Sequence, residues 1–205
     1  MSLAEAATAH VAPLANLLPP NARLLVQAGA GDGALARHYH ALYPASSLLV
    51  VDADAAGAQR ARAYAERIYQ ADLDTAGPAF YQQLTWADGW IFDTTLEQFA
   101  QPARVLAQLR QVIQYDACVV ARIANGAHWQ APQQPARHQL EIGAMVALFE
   151  DNGFRVVNGI LLNPGPVPAD VETALRLQAL RTGVAPELLL EAVQPSHYLI
   201  KAMPA

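Results

Sequence analysis

Three closely spaced glycines near the start of the chain are the first residues that suggest chemistry. Gly29, Gly31 and Gly33 follow a hydrophobic run and precede a helix-like pattern in the stretch LLVQAGAGDGALARHY, residues 24–39. Glycine allows tight turns and lets backbone N–H groups approach a ligand closely. A strand, a glycine loop and a helix in this order predict a site for a small-molecule cofactor. Gln27, two residues before the first glycine, places a neutral amide beside that site.

Polar or acidic residues follow four of the hydrophobic runs that we predict to be strands. These segments are 27–33, 52–54, 72–73 and 93–95. In an open α/β sheet the ligand binds at the carboxyl ends of the strands, where the strand order reverses. We therefore expect the four segments to share one edge of the sheet and to contact one cofactor. The expected cofactor contacts are Gln27, Gly29, Ala30, Gly31, Gly33, Asp52, Ala53, Asp72, Leu73, Asp93 and Thr94.

Two classes of cofactor use a loop of this kind. Residues 29–34 satisfy the dinucleotide pattern G-x-G-x-x-A, and Asp52 lies at a suitable distance along the chain to bind a ribose. Asp32 opposes a dinucleotide because a carboxylate in the loop would repel a pyrophosphate, and no second domain for a hydride partner is obvious. S-adenosylmethionine has a cationic sulfonium and no phosphate, so an acidic loop suits it better. The sequence favours S-adenosylmethionine and keeps NAD as an alternative.

The catalytic residues are less defined by the sequence than the cofactor loop. Methyl transfer is an in-line displacement that needs positioning, and a base only if the acceptor must lose a proton. His128 is the best candidate for a base because imidazole titrates near neutral pH, and its alternative role is to pack the loop with Trp129. Asp93 is open to three interpretations: cofactor contact, base or strand cap. His38 and His40 cannot share a helix face, and no other spacing of His or Cys predicts a metal site.

Hydrophobic runs alternate with amphipathic segments along most of the chain. Nearly continuous apolar strands are typical of a parallel sheet that helices cover on both faces. We therefore predict an α/β fold with a doubly wound, Rossmann-like sheet, while the residue pattern leaves the direction of the last two strands open. Strands are predicted at residues 23–28, 47–51, 68–70, 89–92, 117–123, 154–162 and 197–202. Helices are predicted at 3–18, 34–43, 55–67, 78–84, from 102 onward, and at 139–151, 169–180 and 186–193.

The 205 residues are enough for one substantial core, and no linker divides them. We predict a single domain, 1–205, with a helical segment at 1–20, a cofactor half at 21–129 and an acceptor or association half at 130–205. The net charge of −5 argues against nucleic acid as a partner, and no apolar run suits membrane insertion. A single cysteine and the lack of a signal-peptide pattern predict a cytoplasmic protein.

Several of these stretches together resemble one known family. Residues 24–129 resemble class I S-adenosylmethionine-dependent methyltransferases, in particular methionine-biosynthesis protein W and related domains of polysaccharide-biosynthesis proteins. The stretch IANGAHW at 123–129 is similar to the segment that follows the family's fifth strand. The other matching stretches are LVQAGAGDG at 25–33, VVDAD at 50–54, QADL at 70–73 and FDTTLEQF at 92–99.

The resemblance implies a fold, a cofactor and a reaction. The fold is a seven-stranded, mostly parallel sheet with an antiparallel last strand, and the cofactor is S-adenosylmethionine. The implied reaction is methyl transfer to a small-molecule or glycan-type acceptor. The segment 169–193 lies where such proteins often build an acceptor pocket or a homodimer contact, and its many leucines favour packing or association.

Three positions depart from the family pattern. Gln27 replaces an Asp or Glu that helps to hold the methionine ammonium, and a neutral amide gives up the charge-assisted part of that contact. A Pro-Gly-Gly turn before strand five is replaced by QYD at 114–116, and Leu-Glu-His reads LEQ at 96–98. These departures keep open an alternative, in which the chain is a catalytically weakened or inactive relative that acts as a partner domain.

Overall fold

A seven-stranded sheet forms the centre of the molecule. The computed structural model describes residues 9–130, 137–138, 140–162 and 166–205. Within them the strand order across the sheet is β3-β2-β1-β4-β5-β7-β6. The strands are β1 (Leu24–Ala28), β2 (Ser47–Asp52), β3 (Arg67–Gln70), β4 (Gly89–Asp93), β5 (Cys118–Ala124), β6 (Phe154–Leu162) and β7 (His197–Pro204).

Strand β7 gives the sheet its particular topology. Strands β1 to β5 pair in parallel, whereas β7 runs antiparallel to both of its neighbours, β5 and β6. The mostly parallel sheet with an antiparallel last strand is therefore confirmed. The order departs from the 3-2-1-4-5-6 arrangement of dinucleotide-binding sheets, because β7 is inserted between β5 and β6.

Helices cover both faces of the sheet. Along β4 the side chains of Trp90 and Phe92 pack into a buried cluster with α5 and α6, whereas Ile91 between them packs with α1 and α2 on the other face. This two-sided burial explains why the strands read as continuous apolar runs. The helices are α1 (Val11–Leu17), α2 (Ala34–Leu42), α3 (Ala55–Ala61), α4 (Pro78–Gln82), α5 (Pro102–Arg110), α6 (Ile142–Glu150), α7 (Ala169–Thr182) and α8 (Pro186–Val193).

Helix α3 is shorter than the sequence pattern predicted. The Asp54 carboxylate accepts a hydrogen bond from the Gly57 N–H at 2.9 Å and caps the helix start. The helix ends at Ala61 rather than near residue 67, because the chain must turn before it enters β3. The Glu66 N–H already bonds to the Leu48 carbonyl at 3.0 Å, and this contact begins the sheet pairing. Strand pairing thus overrides a helical pattern here.

Parts of two other predicted helices lie outside the described residues. The helix predicted at 3–18 is described only from residue 9, and α1 occupies Val11–Leu17. The helix predicted at 139–151 begins at Ile142, and residue 139 is among those not described. Among the described helices, none is long and apolar enough to cross a membrane.

Candidate functional site

The glycine loop between β1 and α2 adopts a conformation that requires glycine. Gly29, Gly31 and Gly33 have φ angles of +79°, +57° and +75°, which other residues rarely adopt. A Cβ at Gly29 would lie 2.7 Å from the Thr95 methyl, and one at Gly33 would overlap the Tyr64 ring. Both backbone conformation and space therefore fix these glycines.

The Gln27 side chain, at the end of β1, holds the glycine loop through two hydrogen bonds. Its side chain is only 3% exposed, and its Nε2 donates to the Gly29 carbonyl at 2.9 Å and to the Ala30 carbonyl at 3.2 Å. A carboxylate has no proton to donate and would repel both carbonyls. The other amide atom, Oε1, is buried and has no hydrogen-bond partner within the described residues. Gln27 is thus a structural donor with one acceptor atom left for a ligand.

Asp52, at the carboxyl end of β2, links the glycine loop to two neighbouring segments. Its Oδ2 accepts from the Ala30 N–H at 2.8 Å, and its Oδ1 accepts from the Asp54 N–H at 2.8 Å across the turn at Ala53. Its backbone carbonyl accepts from the Ala71 N–H at 3.1 Å, directly before the segment 72–73. Each carboxylate oxygen retains a further lone pair. The carboxylate can therefore still accept hydrogen bonds from a pair of ligand hydroxyls.

Tyr64 and Gly57 support this arrangement, and the sequence did not indicate either of them. The Tyr64 hydroxyl donates to the Ala30 carbonyl while its ring covers Gly33, and burial raises the pKa of the hydroxyl. Gly57 leaves room for the Asp52 carboxylate, because a Cβ there would lie 2.7 Å from the carboxylate carbon. A tyrosine after a short helix and a glycine inside it carry no distinctive sequence signal.

Asp32 forms two local hydrogen bonds directly before α2. Its Oδ1 accepts from the Ala34 N–H at 2.8 Å, and its backbone carbonyl accepts from Arg37 Nη2 at 3.0 Å. The exposed carboxylate therefore closes a turn directly before α2, a local role typical of Asp in turns. It adds negative charge to the loop without a direct contact to Gln27.

The segment after β3 is held rigidly beside α5. The Asp74 carboxylate accepts from two backbone N–H groups just before α5, at 2.6 and 2.9 Å. The Leu73 carbonyl accepts from the buried Tyr81 hydroxyl at 2.9 Å. Asp72 is exposed, and its Oδ1 accepts from the Asp74 N–H at 2.9 Å. Asp72 and Leu73 thus present a fixed polar edge at the end of β3.

Asp93, at the end of β4, lies in an ion pair. Its Oδ1 accepts from Arg122 Nε of β5, and its Oδ2 lies 3.8 Å from His10 Nε2. Burial alone would raise the pKa of Asp93, but His10 and Arg122 outweigh it and hold the pKa below its usual value. An ionised, paired carboxylate is a weak proton acceptor. The ion pair is a role that the sequence did not indicate for Asp93.

Thr94 adds backbone strain at the same strand end. Its φ of +55° is rare for a β-branched residue, and its hydroxyl donates to the Asp93 carbonyl at 2.7 Å. Its N–H bonds to the Arg122 carbonyl at 2.8 Å, which keeps β4 and β5 paired up to this point. Such strain persists only where the surroundings enforce it, and it is common at functional sites. The next residue, Thr95, places its methyl group against Gly29.

Two histidines, His10 and His197, lie beside the Asp93–Arg122 pair. His197 opens β7, and its pKa is lowered to about 4 by burial, by the Arg122 charge and by His10. Its Nδ1 lies 3.1 Å from the Ser196 hydroxyl. His10, Arg122 and His197 come from distant parts of the chain, so only the strand order brings them together. No local sequence pattern indicates a role for any of the three.

His128 lies in the loop after β5. Its Nδ1 accepts from the Gln130 N–H at 3.2 Å, and its Nε2 is buried with no partner among the described residues. Burial lowers the pKa of the ring, so the neutral form dominates at neutral pH, and because Nδ1 accepts a hydrogen bond the single ring proton lies on Nε2. The ring also lies 5.6 Å from that of Trp129. These contacts support the packing role, whereas the role of a base needs Nδ1 to be released from the Gln130 N–H.

Solved structures of other proteins share the fold of this chain. No family model and no curated protein match the chain significantly. A solved S-adenosylmethionine-dependent methyltransferase from Mesorhizobium loti has a TM-score of 0.66 at 19% identity, covering 94% of this chain and 96% of its own. Geranyl diphosphate methyltransferase in complex with SAM scores 0.65 at 17% identity, covering 97% and 85%. The [4+2]-cyclase SpnF scores 0.67 at 13% identity, covering 100% and 83%.

At these identities the likeness establishes the fold. The protein has the Rossmann-like fold of S-adenosylmethionine-dependent methyltransferases, as the stretches within residues 24–129 led us to expect. The presence of a cyclase among the similar structures means that the fold alone does not determine the reaction.

Proposed function

We propose that the chain is an S-adenosylmethionine-dependent methyltransferase with a small-molecule or glycan-type acceptor. One observation carries this proposal: the Asp52 carboxylate is tied to the Ala30 N–H of the glycine loop, inside a sheet whose β7 lies between β5 and β6. The link supports a ribose site at the carboxyl edge. The strand order and the exposed Asp32 both favour a sulfonium cofactor over a dinucleotide.

The residues present fit S-adenosylmethionine at each part of the molecule. The buried, unpartnered Oε1 of Gln27 would accept from the methionine ammonium, and the glycine loop would lie against the methionine chain. Asp52, with Ala53 beside it, would bind the ribose hydroxyls. Asp72 and the Leu73 backbone would bind the adenine edge, and Asp93 with Thr94 would close the methionine side.

S-adenosylmethionine supplies an electrophilic methyl group when it is bound. The chain contributes position and exclusion of water, since a displacement at carbon needs the acceptor in line with the bond that breaks. His128 would act as a base through Nδ1, the unprotonated ring nitrogen, once Nδ1 is released from the Gln130 N–H, and would take the proton of an acceptor hydroxyl or amine as that atom bonds to the methyl carbon. An acceptor that carries no such proton would need positioning alone.

The acceptor class is an extension of the same proposal. The resemblance to polysaccharide-biosynthesis domains and to methionine-biosynthesis protein W suggests glycan-type or other small acceptors. The concentration of polar side chains near the ends of β4 and β5, among them His10, His197 and Arg122, supports a hydroxyl-rich acceptor. We place the activity in the reducing cytoplasm, in keeping with the buried thiol of Cys118.

A weakened or non-catalytic relative is the second candidate function. Gln27 supplies no negative charge for an ammonium group, and Arg122 with His10 neutralises the Asp93 carboxylate. Charge-assisted hydrogen bonds are roughly twice as strong as neutral ones. A site that lacks a free carboxylate near the methionine ammonium would bind the cofactor less tightly. The domain would then act by binding a partner protein.

A thermal-shift comparison separates these candidates. A ligand that binds only the folded state raises the melting temperature with its concentration. We expect S-adenosylhomocysteine at about 1 mM to raise the melting temperature and NADH at the same concentration to leave it unchanged. No shift with S-adenosylhomocysteine would favour the non-catalytic candidate, and a shift with NADH alone would favour a dinucleotide protein.

A further inference from the structure

The helix pair α7–α8, which connects β6 to β7, leaves large apolar side chains in solvent. Leu177 is 54% exposed, Leu180 82% and Leu188 60%. Along the 14 residues of α7 only Ala179 is fully buried, and α8 has no buried residue. Clusters of exposed apolar side chains on a folded protein mark a surface that another molecule covers.

The exposed leucines of α7 lie on one stripe of the helix. Val171, Leu175 and Ala179 follow an i, i+4, i+8 spacing and face the body of the protein, where they are at least partly buried. Asp170, Thr173, Leu177 and Leu180 are all exposed and follow a 3-4-3 spacing. That spacing is the one by which two helices pack along a seam. We call these four residues the outer stripe.

The helix pair is fixed to the rest of the protein at its base. The Asn125 side-chain amide donates to the carbonyls of Ala192 and Pro195, both at 2.8 Å. The Trp129 N–H donates to the Val193 carbonyl at 3.2 Å. These bonds tie the end of α8 to the loop that carries His128. The outer stripe therefore sits on an anchored support.

The charged residues at the two ends of α7 are complementary to those of an antiparallel second copy of the same helix. Asp170, the first residue of the outer stripe, and Arg181, which follows its last residue, are eleven residues apart, about three helical turns, so they lie on nearly the same side of α7 at opposite ends. A two-fold axis that makes two copies of α7 antiparallel places the start of one helix beside the end of the other on that side. Asp170 of each copy then faces Arg181 of the other, as an isologous contact requires.

The second charged pair of α7 does not compete for this contact. Glu172 and Arg176 lie on the other side and already form an ion pair within the helix, with Nη2 and Oε1 2.6 Å apart. Within the described residues, Asp170 and Arg181 form no ion pair. We propose that the protein forms a two-fold dimer through α7–α8, with Leu177 and Leu180 in its seam and two reciprocal Asp170–Arg181 pairs.

Sedimentation velocity tests this dimer on the intact chain. The wild-type protein is expected to sediment as a dimer at about 50 μM, and Leu180→Glu to sediment as a monomer because it buries a charge in the seam. Leu42→Glu is the matched control, since Leu42 is 52% exposed on α2 and should leave the dimer intact. Circular dichroism confirms that each variant is folded. A wild-type monomer at about 50 μM overturns the proposal and points to another occupant of the outer stripe.

A charge swap tests the antiparallel arrangement separately. Asp170→Arg and Arg181→Asp should each weaken the dimer by roughly two- to tenfold, because each places like charges opposite one another. The double variant D170R/R181D restores both pairs in a two-fold antiparallel dimer and should recover the wild-type dissociation constant. If the double variant is as weak as or weaker than the single ones, the antiparallel seam is wrong.

Discussion

The side-chain amide of Gln27 donates a hydrogen bond to the carbonyl of Gly29 at 2.9 Å. This contact changes the interpretation of a neutral residue where the resembling family has a carboxylate. The glycine loop turns its carbonyls toward the end of β1, so the buried residue there must donate. The departure from the family pattern is therefore part of how this loop is built.

Gln27→Glu should lower the free energy of unfolding by about 1–3 kcal/mol, because a buried carboxylate would face two carbonyls without a proton to donate. Urea denaturation at neutral pH measures the loss, and Gln98→Glu at an exposed position is the control. If Gln27→Glu keeps full stability and binds S-adenosylhomocysteine more tightly, the glutamine merely lacks the charge of the family's carboxylate. Our interpretation of Gln27 as a structural donor would then be wrong.

Gly33→Ala should lower the free energy of unfolding by about 1–3 kcal/mol, since alanine at a φ of +75° is strained and its methyl would overlap the Tyr64 ring. Gly143→Ala, in α6 with open space around it, should raise that free energy by about 0.5–1 kcal/mol. Thermal or urea unfolding compares the two. Equal effects in the two variants would contradict the geometry of the loop.

Tyr64→Phe removes the hydroxyl that donates to the Ala30 carbonyl but keeps the ring over Gly33. We expect a stability loss of about 1 kcal/mol and weaker binding of S-adenosylhomocysteine, because the loop loses one of its restraints. Fluorescence-monitored urea unfolding and calorimetric titration measure the two effects. Tyr69→Phe, on β3, serves as the control. Unchanged stability and affinity in Tyr64→Phe would show that the hydroxyl does not hold the loop.

His197 makes stability depend on pH in the acid range. Its pKa is about 4 in the folded protein against an ordinary value of 6.5, so between these values the unfolded chain binds the proton more readily. Its contribution is fully present above pH 6.5 and is lost as pH falls toward 4. After allowance for partial exposure to solvent, this loss amounts to about 1–2 kcal/mol.

His197→Asn should therefore flatten the acid side of the stability profile, measured by urea unfolding from pH 7 down to about pH 4. His40→Asn, at an exposed position on α2, is the control and should follow the wild-type profile. If His197→Asn loses stability as steeply as the wild type when the pH falls, His197 is not the source of the acid sensitivity.

The sequence was sufficient for the sheet and for the glycine loop. Apolar strands and positive-φ glycines leave local signals, so the strands, Gly29, Gly31 and Gly33 were all predictable. The early end of α3 was not, because it depends on the pairing of β3 with β2. The helix-like spacing of apolar residues near Tyr64 does not indicate that pairing.

The contacts of Asp93 with His10 and Arg122 could not be predicted from the sequence for a different reason. Asp93 was predictable as a strand-end residue, but its partners come from the segment before α1 and from β5. Their contacts depend on strand order and register, which no local pattern encodes. The same holds for the donor role of Gln27, which depends on the direction of two carbonyls in the folded loop.

Isothermal titration calorimetry with S-adenosylhomocysteine tests the central claim most directly. We expect one site per chain in the wild type, a dissociation constant at least about tenfold weaker in Asp52→Asn, and little change in Asp32→Asn, whose carboxylate bonds only to the Ala34 N–H in the turn before α2. Absence of binding up to about 2 mM ligand, or equal affinity in the wild type and Asp52→Asn, would contradict a cofactor site at this edge of the sheet.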